Sequence, residues 1–336
     1  MSKKSGDAVC AVFCTVKNEG PYILEWVAWC RLVGFDRIFI AQNDSDDGTI
    51  ELLECLHQFG VITYLDNSFE RPQGGPPPSH QARAYRLFLE MAKSERIDWA
   101  MALDIDEFVF VHSDGENIGQ IKGLIDDDLE ELRLNWRFLS DADERRFVDA
   151  LVTTRFRYTK PLGNIAKFPT PVKTLFSVDN ALHLGPHFPS KYASEPKDIR
   201  NGSGLSVQSR ERVSITDPDA CRFGYVAHYR TKDLESFLMK AKRGIPNVNA
   251  KEVYDRDYWQ TANTANVYIE DLASQSASIG EEIRNLDEIC DGSAKPLHDA
   301  SVKRWKSSIK GLWQNPDYLA IARRIDPTFD PKQQSF

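Results

Sequence analysis

Residues 99–111 read Trp99-Ala-Met-Ala-Leu-Asp104-Ile-Asp106-Glu107-Phe-Val-Phe-Val111, an apolar run that three carboxylates interrupt. Apolar residues without a helical period predict a buried central strand, with Asp104 and Asp106 where the strand leaves the sheet. Burying ionised carboxylates without partners costs several kcal/mol, so such a pair usually faces a cation, a polar ligand or water. An Asp-x-Asp there suits a divalent metal that holds a diphosphate, although such pairs are often simply solvated.

Length and composition limit the class of protein. A chain of 336 residues can build one large α/β domain with additions or two smaller domains. A hydrophobic content of 41% and a charged content of 27% are typical of a soluble globular protein. The net charge of −8 argues against a nucleic-acid partner, because clustered Lys and Arg are needed to bind a phosphate backbone.

The cysteines and the N-terminus indicate the compartment. The six cysteines show no Cys-x-x-Cys spacing and mostly lie in apolar runs, which is typical of reduced, buried thiols in a cytosolic protein. The first apolar run is too short to span a bilayer and lacks a signal-peptide cleavage pattern. We therefore expect a cytoplasmic protein with no transmembrane segment, which leaves peripheral membrane association through a partner open.

The first 110 residues alternate between strand and helix patterns. The predicted strands are 8–16, 37–42, 61–65 and the run from 99, and the predicted helices are 21–33, 46–59 and 79–94. This alternation predicts a doubly wound α/β fold with a mostly parallel central sheet flanked by helices. Ligands of such sheets bind beyond the carboxyl ends of the strands, where Asn18-Glu19, Asn43-Asp44 and Asp104–Asp106 fall.

The pattern changes after residue 131. We predict strands at 132–138, 149–156 and 172–178, a mobile loop at 191–212, a strand that ends at 228–229, a helix at 232–243 and further helices after about 254. The predicted organisation is a domain at 8–245 and a helical C-terminal extension at 246–336. Within the domain, 8–112 forms a nucleotide-binding half and 113–245 an acceptor-side half.

Four polar motifs follow one another along the first 108 residues: Thr15-Val-Lys-Asn18-Glu19, Asn43-Asp44-Ser45-Asp-Asp-Gly48-Thr49, Gln81-Ala-Arg83-Ala-Tyr85 and Asp104-Ile-Asp106-Glu107-Phe108. With residues 134–139 and 228–244, they make residues 8–245 resemble the nucleotide-sugar glycosyltransferases of the GT-A fold, in family 2 and more closely family 92. The resemblance implies a Rossmann-like GT-A domain, a UDP-linked hexose donor such as UDP-galactose, and inversion. It further implies a glycan or other hydroxyl acceptor and a role in polysaccharide biosynthesis.

Donor-binding candidates follow from the residues and from the resemblance. The hydroxyl, amide and carboxylate of Thr15, Asn18 and Glu19 suit a pyrimidine and its ribose, although Asn18 could instead cap a helix-entry loop. Arg83 could approach a phosphate or form a surface salt bridge. For Asp46, Asp47 and Thr49 we favour a turn and a helix start. The predicted donor-binding residues are Thr15, Asn18, Glu19, Asn43, Asp44, Arg83, Asp104, Lys173 and Lys232.

The predicted metal ligands are Asp104, Asp106 and His228, with Mn²⁺ or Mg²⁺ as the ion. In this hypothesis Asp106 and His228 bind the ion directly, while Asp104 holds the ribose or a water on the metal. The resemblance implies the role of His228, because GT-A enzymes commonly supply a late histidine, and a lone histidine after an apolar strand is otherwise more often structural. Lys232, four residues later, would then bind the diphosphate.

The acceptor side is less well defined. An inverting enzyme needs a carboxylate that removes the proton of the acceptor hydroxyl, and Asp141, Asp143 and Glu144 follow a strand expected beside the metal site. We favour Asp143 and then Asp141, although an acidic surface turn explains them equally well. Related sequences often have a Gly-Ser-His run where this chain has Ser140-Asp-Ala-Asp143, so the chain departs from the family pattern at the predicted base. The predicted acceptor contacts are Trp136 and Phe138, which could stack on a sugar, and His187, with His183 a further candidate.

Together these features predict a metal-dependent glycosyltransferase. Another enzyme class, a nucleotidyltransferase or an aspartate-based phosphatase, could also use carboxylates at strand ends. A phosphatase would need an aspartate at the end of the first strand, where this chain has Thr15, and a nucleotidyltransferase would need a glycine-rich loop there. A non-catalytic glycan-binding or scaffold protein of the same fold is the other alternative, and a donor-hydrolysis assay would distinguish it.

Overall fold

The computed structural model describes residues 8–69, 79–115, 117–160, 170–208, 214–215, 221–244, 256–263, 265 and 267–333. Its first part has the predicted alternation of strands and helices. The elements are β1 (Cys10–Val16), α1 (Gly20–Leu32), β2 (Arg37–Gln42), α2 (Thr49–Gln58), β3 (Thr63–Asp66), α3 (His80–Ser94) and β4 (Trp99–Ala102). Parallel pairing joins β1 to both β2 and β4, and β2 to β3, so the carboxyl ends of these strands meet at one edge.

Local sequence explains where these helices begin. Pro21 occupies the first turn of α1, where its missing N–H costs nothing. Gly48 precedes α2 with a φ of 100°, a left-handed conformation that glycine adopts without strain. The side chain of Ser79 caps α3 by accepting a hydrogen bond from the backbone N–H of Ala82.

The apolar run at 99–111 forms two strands: the predicted strand ends before Asp104 and Asp106, as expected, and the residues after them form a second strand that was not predicted. After β4 the chain turns, with the backbone N–H of Glu107 donating to the carbonyl of Asp104 over 2.9 Å, and continues as β5 (Glu107–Val111). A continuous central strand would have enclosed three carboxylates between neighbouring strands. The turn instead leaves the Asp104 side chain 38% exposed.

The remaining strands complete a ten-stranded sheet and two small pairs. They are β6 (Glu131–Phe138), β7 (Tyr158–Thr159), β8 (Thr170–Ser177), β9 (Ala181–Leu184), β10 (Pro189–Tyr192), β11 (Ile199–Asn201), β12 (Ser214–Ile215), β13 (Gly224–His228) and β14 (Val267–Tyr268). The large sheet has the order β3-β2-β1-β4-β8-β6-β13-β5, with β11 beside β6 and β12 beside β8. Five of its nine pairings are parallel. The predicted α/β class with a mostly parallel central sheet is confirmed.

Two local predictions in this part are wrong. Residues 149–156 were expected to form a strand, but they contain a short helix, α4 (Val152–Arg155). The buried carboxylate of Glu25 holds its first turn by accepting hydrogen bonds from the backbone N–H groups of Val152 and Thr153, at 2.7 and 2.9 Å. The expected loop at 191–212 contains the end of β10 and all of β11, and its residues 209–212 lie outside the described residues.

Helices dominate the C-terminal part, as predicted. They are α5 (Leu234–Arg243), α6 (Arg256–Ala262), α7 (Ser276–Ile289), α8 (Ala294–Leu312) and α9 (Pro316–Ile325), with 3₁₀ turns at Ile121–Leu124, Ala273–Gln275 and Pro331–Gln333. Among the residues described here, we find no helix with the length and apolarity that crossing a membrane requires.

The C-terminal helices share one hydrophobic core with the first half of the chain. Trp26 of α1 and Trp305 of α8 belong to the same buried cluster. A Cβ atom at Gly20 would lie 1.9 Å from Oγ of Ser301, so only glycine allows α8 to pack this closely on the start of α1. The helices that follow residue 255 therefore complete the hydrophobic core of the first half of the chain.

Candidate active site

A cleft of about 360 Å³ lies at the carboxyl ends of β1, β4 and β13. Six of the predicted site residues line it: Thr15, Glu19, Asn43, Asp104, Asp106 and His228. Residues without a predicted role also line it, including His80, Gln81, Lys240, Arg243 and Tyr258. Parallel strand ends thus bring together polar side chains that are up to 213 positions apart, from Thr15 to His228.

Asp104 and Glu107 share one buried cation. Nζ of Lys173 lies 3.2 Å from Oδ2 of Asp104 and 2.9 Å from Oε2 of Glu107. Burial raises the pKa of Glu107 to about 8, against the opposing effect of Lys173. Although burial alone would lower the pKa of Lys173, Asp104 and Glu107 raise it above its usual range. Lys173 is buried behind Asp104 and does not line the cleft, so it orients this carboxylate.

Asp106 is 5% exposed and lies between a lysine and a histidine. Its Oδ2 accepts a hydrogen bond from Nζ of Lys240 at 2.5 Å, and its Oδ1 lies 3.6 Å from Nε2 of His228. Burial raises the pKa of Asp106, but Lys240 and His228 together hold it well below its usual range. Asp106 is therefore an anion at neutral pH.

His228 is held by aromatic neighbours. Its ring centroid lies 4.4 Å from that of Trp136 and 5.5 Å from that of Phe138. Burial lowers the pKa of His228, with Asp106 opposing the shift, so the imidazole is neutral and can bind a metal. In the described part of the chain, its buried Nδ1 has no hydrogen-bond partner.

The donor atoms of Asp106 and His228 fit a divalent cation, because a carboxylate oxygen and an imidazole nitrogen face the same cleft. Asp104 points toward Lys173, so the predicted set of three ligands is not gathered at one point. Lys240 lies on Oδ2 of Asp106, and a metal ion at that oxygen would have to displace it. A separate surface cluster brings Asp149, His298 and Asp299 within 4.8 Å of one another, but both of its carboxylates are exposed.

Several predicted donor residues shape the loops around the cleft. Asn18 donates to Oδ1 of Asp46 at 2.9 Å and accepts from the backbone N–H of Asp46, so it links two loops. Asp47 accepts from the backbone N–H groups of Gly20 and Thr49, which confirms the turn and helix start. Asn18 and Asp44 have φ values of 52° and 50° and line a second cavity instead of the cleft. Arg83 bonds to Asn67 and lies 5.1 Å from the ring of Phe69, away from the cleft.

The basic helix α5 presents its last turn to the cleft. Lys232 precedes it, lies buried 4.1 Å above the ring of Tyr22, and lines the second cavity. Asp233 caps the first turn by accepting from the backbone N–H of Ser236, so that turn is not free for a phosphate. Lys240 and Arg243 reach the cleft instead, and Arg243 pairs with Glu19. The sequence could have indicated Lys240 and Arg243, because they are three positions apart and therefore lie on one face of the helix.

The predicted acceptor residues pack behind His228. Trp136 lies between His228 and His187, with centroid distances of 4.4 and 5.2 Å, and Phe138 also lies against His228. Nδ1 of His187 is 3.0 Å from the carbonyl oxygen of Val172. None of the three lines the cleft. They support the imidazole ring in this structure, and their contact with an acceptor stays a prediction.

The structure does not bring the predicted base residues to the cleft. Asp141 is buried and pairs with Nη1 of Arg145 at 2.7 Å, and its backbone N–H donates to Asn263. The Asp143 side chain is 97% exposed. Glu144 pairs with Arg155. Asp141 holds this surface loop against the C-terminal part through Asn263 and through Arg145, which also contacts Asp326. The assignment of these carboxylates as acceptor base has no support in this geometry.

Comparison with known proteins gives partial matches. No family model matches the chain. A glycosyltransferase family 92 protein of Arabidopsis thaliana is 30% identical over 111 residues, which are 32% of this chain and 18% of that protein. A glycosyltransferase family 92 protein of Oryza sativa subsp. japonica is 30% identical over 99 residues, 29% of this chain and 15% of that protein. The matched segments span less than a fifth of either relative.

Among solved structures, the crystal structure of S. aureus TarS aligns with 90% of this chain and 55% of that chain, at 13% identity. The TM-score of this alignment is 0.34, which is too low to indicate a shared fold, and we infer no activity from it. The similarity to known proteins therefore rests on the two family 92 sequences.

Proposed function

We propose that this protein is a metal-dependent glycosyltransferase of the GT-A fold. It moves a hexose from a UDP-linked donor, with galactose as the expected sugar, to a hydroxyl of a glycan or other acceptor, with inversion at the transferred carbon. The similarity to two family 92 glycosyltransferases supports the class of reaction. The donor, the metal and the stereochemistry come from the motif resemblance.

One observation carries the proposal. Asp106 and His228, 122 positions apart, place a carboxylate and a neutral imidazole 3.6 Å from each other in a cleft at the carboxyl ends of parallel strands. The ionised carboxylate and the neutral ring nitrogen both line this cleft, where a ligand can reach them. This combination suits Mn²⁺ or Mg²⁺.

In the proposed mechanism, Asp106 and His228 would hold the divalent ion, which would supply positive charge to offset the charge that develops on the leaving diphosphate. Thr15 and Asn43, at neighbouring strand ends, bind the base and ribose through hydrogen bonds. Lys240, which donates to Oδ2 of Asp106 in this structure, would be available to a phosphate oxygen if that carboxylate held an ion. Lys173 holds Oδ2 of Asp104 from the buried side, and the exposed part of the Asp104 side chain would contact the ribose from the cleft.

Calorimetric titration of UDP tests the proposal. UDP should bind at least about tenfold more tightly with Mn²⁺ than with EDTA, because an ion held by Asp106 would offset the charge of the diphosphate. Asp106→Ala should remove most of this difference. Asp143→Ala is the matched control, since it removes an aspartate that lies outside the cleft and should keep the full effect of the metal.

Equal UDP affinity with Mn²⁺ and with EDTA would overturn the metal-diphosphate proposal. Release of UDP from UDP-hexose, measured with the same samples, separates an enzyme from a non-catalytic sugar-binding protein. Binding without any turnover would favour the latter.

A further inference from the structure

A second cavity of about 290 Å³ adjoins the cleft. The loop at 44–47, the start of α1, α5 and the C-terminal helix α8 enclose it, and α8 contributes Trp305 and Ser308. It shares a wall with the cleft, formed by Lys17, Glu19, Lys240 and Arg243. Asn18, Asp44 and Lys232, which were predicted to bind the donor, line this cavity and not the cleft, and the mechanism proposed above gives the cavity no part.

Lys232 is the feature that makes this cavity a candidate site. It is 6% exposed, and within the described part of the chain its ammonium forms neither a salt bridge nor a hydrogen bond; it lies 4.1 Å from the centroid of the Tyr22 ring, while the carboxylates of Glu19 and Asp106 act on its charge from farther away. Its φ of 54° is a left-handed conformation that non-glycine residues adopt at a cost. A buried charge without a paired anion is costly, so this ammonium is placed for an anion from outside the chain.

The other charges of the cavity do not supply that anion. Its lining contains six cations and four carboxylates, in a chain whose net charge is −8. The carboxylates already have partners within the protein: Glu19 pairs with Arg243, Asp44 lies 3.9 Å from Lys17, and Asp46 and Asp47 accept hydrogen bonds from the neighbouring loop. Three of the cations also pair within the protein, Lys17 with Asp44, Lys240 with Asp106 and Arg243 with Glu19. The positive charge that remains for a ligand therefore comes from Arg230, Lys232 and Lys242.

A further cation in the lining has no partner among the described residues. Lys242 is exposed on α5 and forms no ion pair there. The hydroxyl of Ser308 lies in the same lining. Two ammonium groups and a hydroxyl match a dianion with several oxygens better than a single carboxylate.

We propose that the second cavity binds a phosphate group, and that this group belongs to the acceptor. The assignment to the acceptor rests on the proposed function, because the cavity adjoins the donor cleft through a shared wall. A phosphate monoester bound here would place the rest of its molecule along Lys17 and Arg243, toward the cleft. The helix α8 would then have a part in substrate binding as well as in the core.

Titration with glycerol 3-phosphate and with inorganic phosphate tests the proposal, using the full chain saturated with UDP and Mn²⁺. Glycerol 3-phosphate should bind, and Lys232→Met should weaken its binding at least about tenfold, as expected for the loss of a buried ammonium. Lys303→Met, which removes an exposed cation of α8 outside this cavity, should leave the affinity unchanged. Lys242→Met gives a second test on an exposed position if Lys232→Met fails to fold.

The outcomes separate the two proposals. No phosphate binding, or binding that neither lysine variant weakens, would overturn the second site. Tighter binding of inorganic phosphate than of the monoester would overturn its assignment to the acceptor. Loss of phosphate binding on addition of UDP would show that the cavity belongs to the donor site. Failure of UDP to respond to Mn²⁺, with phosphate binding intact, would reject the metal-dependent transferase alone.

Discussion

Two acidic tetrads follow buried strands of this protein. The first tetrad, Asp104-Ile-Asp106-Glu107, comes after β4, and the second tetrad, Asp141-Ala-Asp143-Glu144, comes after β6. Their sequences share the pattern Asp-x-Asp-Glu. The first lies at a cleft of about 360 Å³, whereas no residue of the second lines that cleft.

The cations around the two tetrads differ. Lysines and a histidine surround the first: Lys173 joins Asp104 to Glu107, and Lys240 and His228 face Asp106. Arginines surround the second, with Arg145 on Asp141 and Arg155 on Glu144. Each arginine also contacts a further carboxylate, Asp326 at 3.1 Å and Asp233 at 3.2 Å.

This difference has a chemical meaning. The guanidinium is a planar fork with several fixed donors, so it links carboxylates of separate elements into a rigid network. A lysine ammonium is a single charge on a flexible stem, which a metal ion or a phosphate can displace or engage. The same acidic pattern is thus structural beside arginines and accessible to ligands beside lysines and a histidine.

The largest expected difference between the tetrads is in turnover. Asp106→Asn should lower the rate of UDP release from UDP-hexose about 10²-fold or more, because the leaving diphosphate loses its electrostatic partner. Asp143→Asn should stay within about twofold of the wild type, since an exposed carboxylate 3.6 Å from Arg145 contributes little. Steady-state assays decide this, and an equal loss in both variants would abolish the functional distinction.

The loss of stability should be larger for a substitution at the second tetrad than for one at the first. Arg145→Met should lower the free energy of unfolding by about 2 kcal/mol, because the buried Asp141 loses its 2.7 Å partner and Asp326 loses its link to the loop. Asp106→Asn should cost less than about 1 kcal/mol, since Lys240 is 20% exposed and still donates to the carbonyl of Arg230. Urea denaturation measures both. A larger loss for Asp106→Asn would contradict the structural role of the second tetrad.

The affinity for Mn²⁺ tests whether the lysine beside the first tetrad can be displaced by a ligand. Lys240→Met should raise the affinity for Mn²⁺ about tenfold, because the ammonium no longer competes for Oδ2 of Asp106. Lys242→Met, two positions away on the same helix, is the control for loss of one positive charge and should have a smaller effect. Direct titration with Mn²⁺ gives the values, and unchanged affinity in Lys240→Met would show that the ion does not bind at this oxygen.

The pH dependence of stability gives the smallest effect. The folded state raises the pKa of Glu107 from 4.5 to about 8, so it favours the protonated form. The stability that this group contributes is complete below about pH 4.5 and is lost as the pH rises through about 8, with a slope of at most about 1.4 kcal/mol per pH unit.

Unfolding of the metal-free protein in EDTA should therefore show a slope between these pH values that Glu107→Gln flattens. Glu144→Gln, at the corresponding position of the second tetrad, controls for the change in net charge. An unchanged slope in Glu107→Gln would assign the pH dependence to another group.

Much of the cleft could be predicted from local sequence. The alternation that produced β1 to β4 depends on apolar periodicity and on helix starts such as Pro21 and Gly48, which are properties of neighbouring residues. Parallel strands then bring their carboxyl ends to one edge, so Thr15, Asn43 and Asp106 could be placed together without coordinates. The predicted helices of the C-terminal part also depended on this local pattern.

Other features depended on contacts between distant parts of the chain. The first tetrad lies at the turn between β4 and β5, because β5 does not pair with β4 but with β13 at the far side of the sheet. Glycine at position 20 has a role only because α8 packs there. The second cavity exists only where α5 and α8 meet the loops of the first half.

By itself, the sequence determined the α/β class, the carboxylates at the strand ends and the resemblance to a glycosyltransferase family. Only the tertiary structure decided which tetrad could meet a ligand. Lys240 is 134 positions from Asp106, and Arg145 is 181 positions from Asp326. Secondary structure follows from the spacing of adjacent residues, but the pKa and accessibility of a carboxylate depend on the charges that the folded chain brings to it from any distance in sequence.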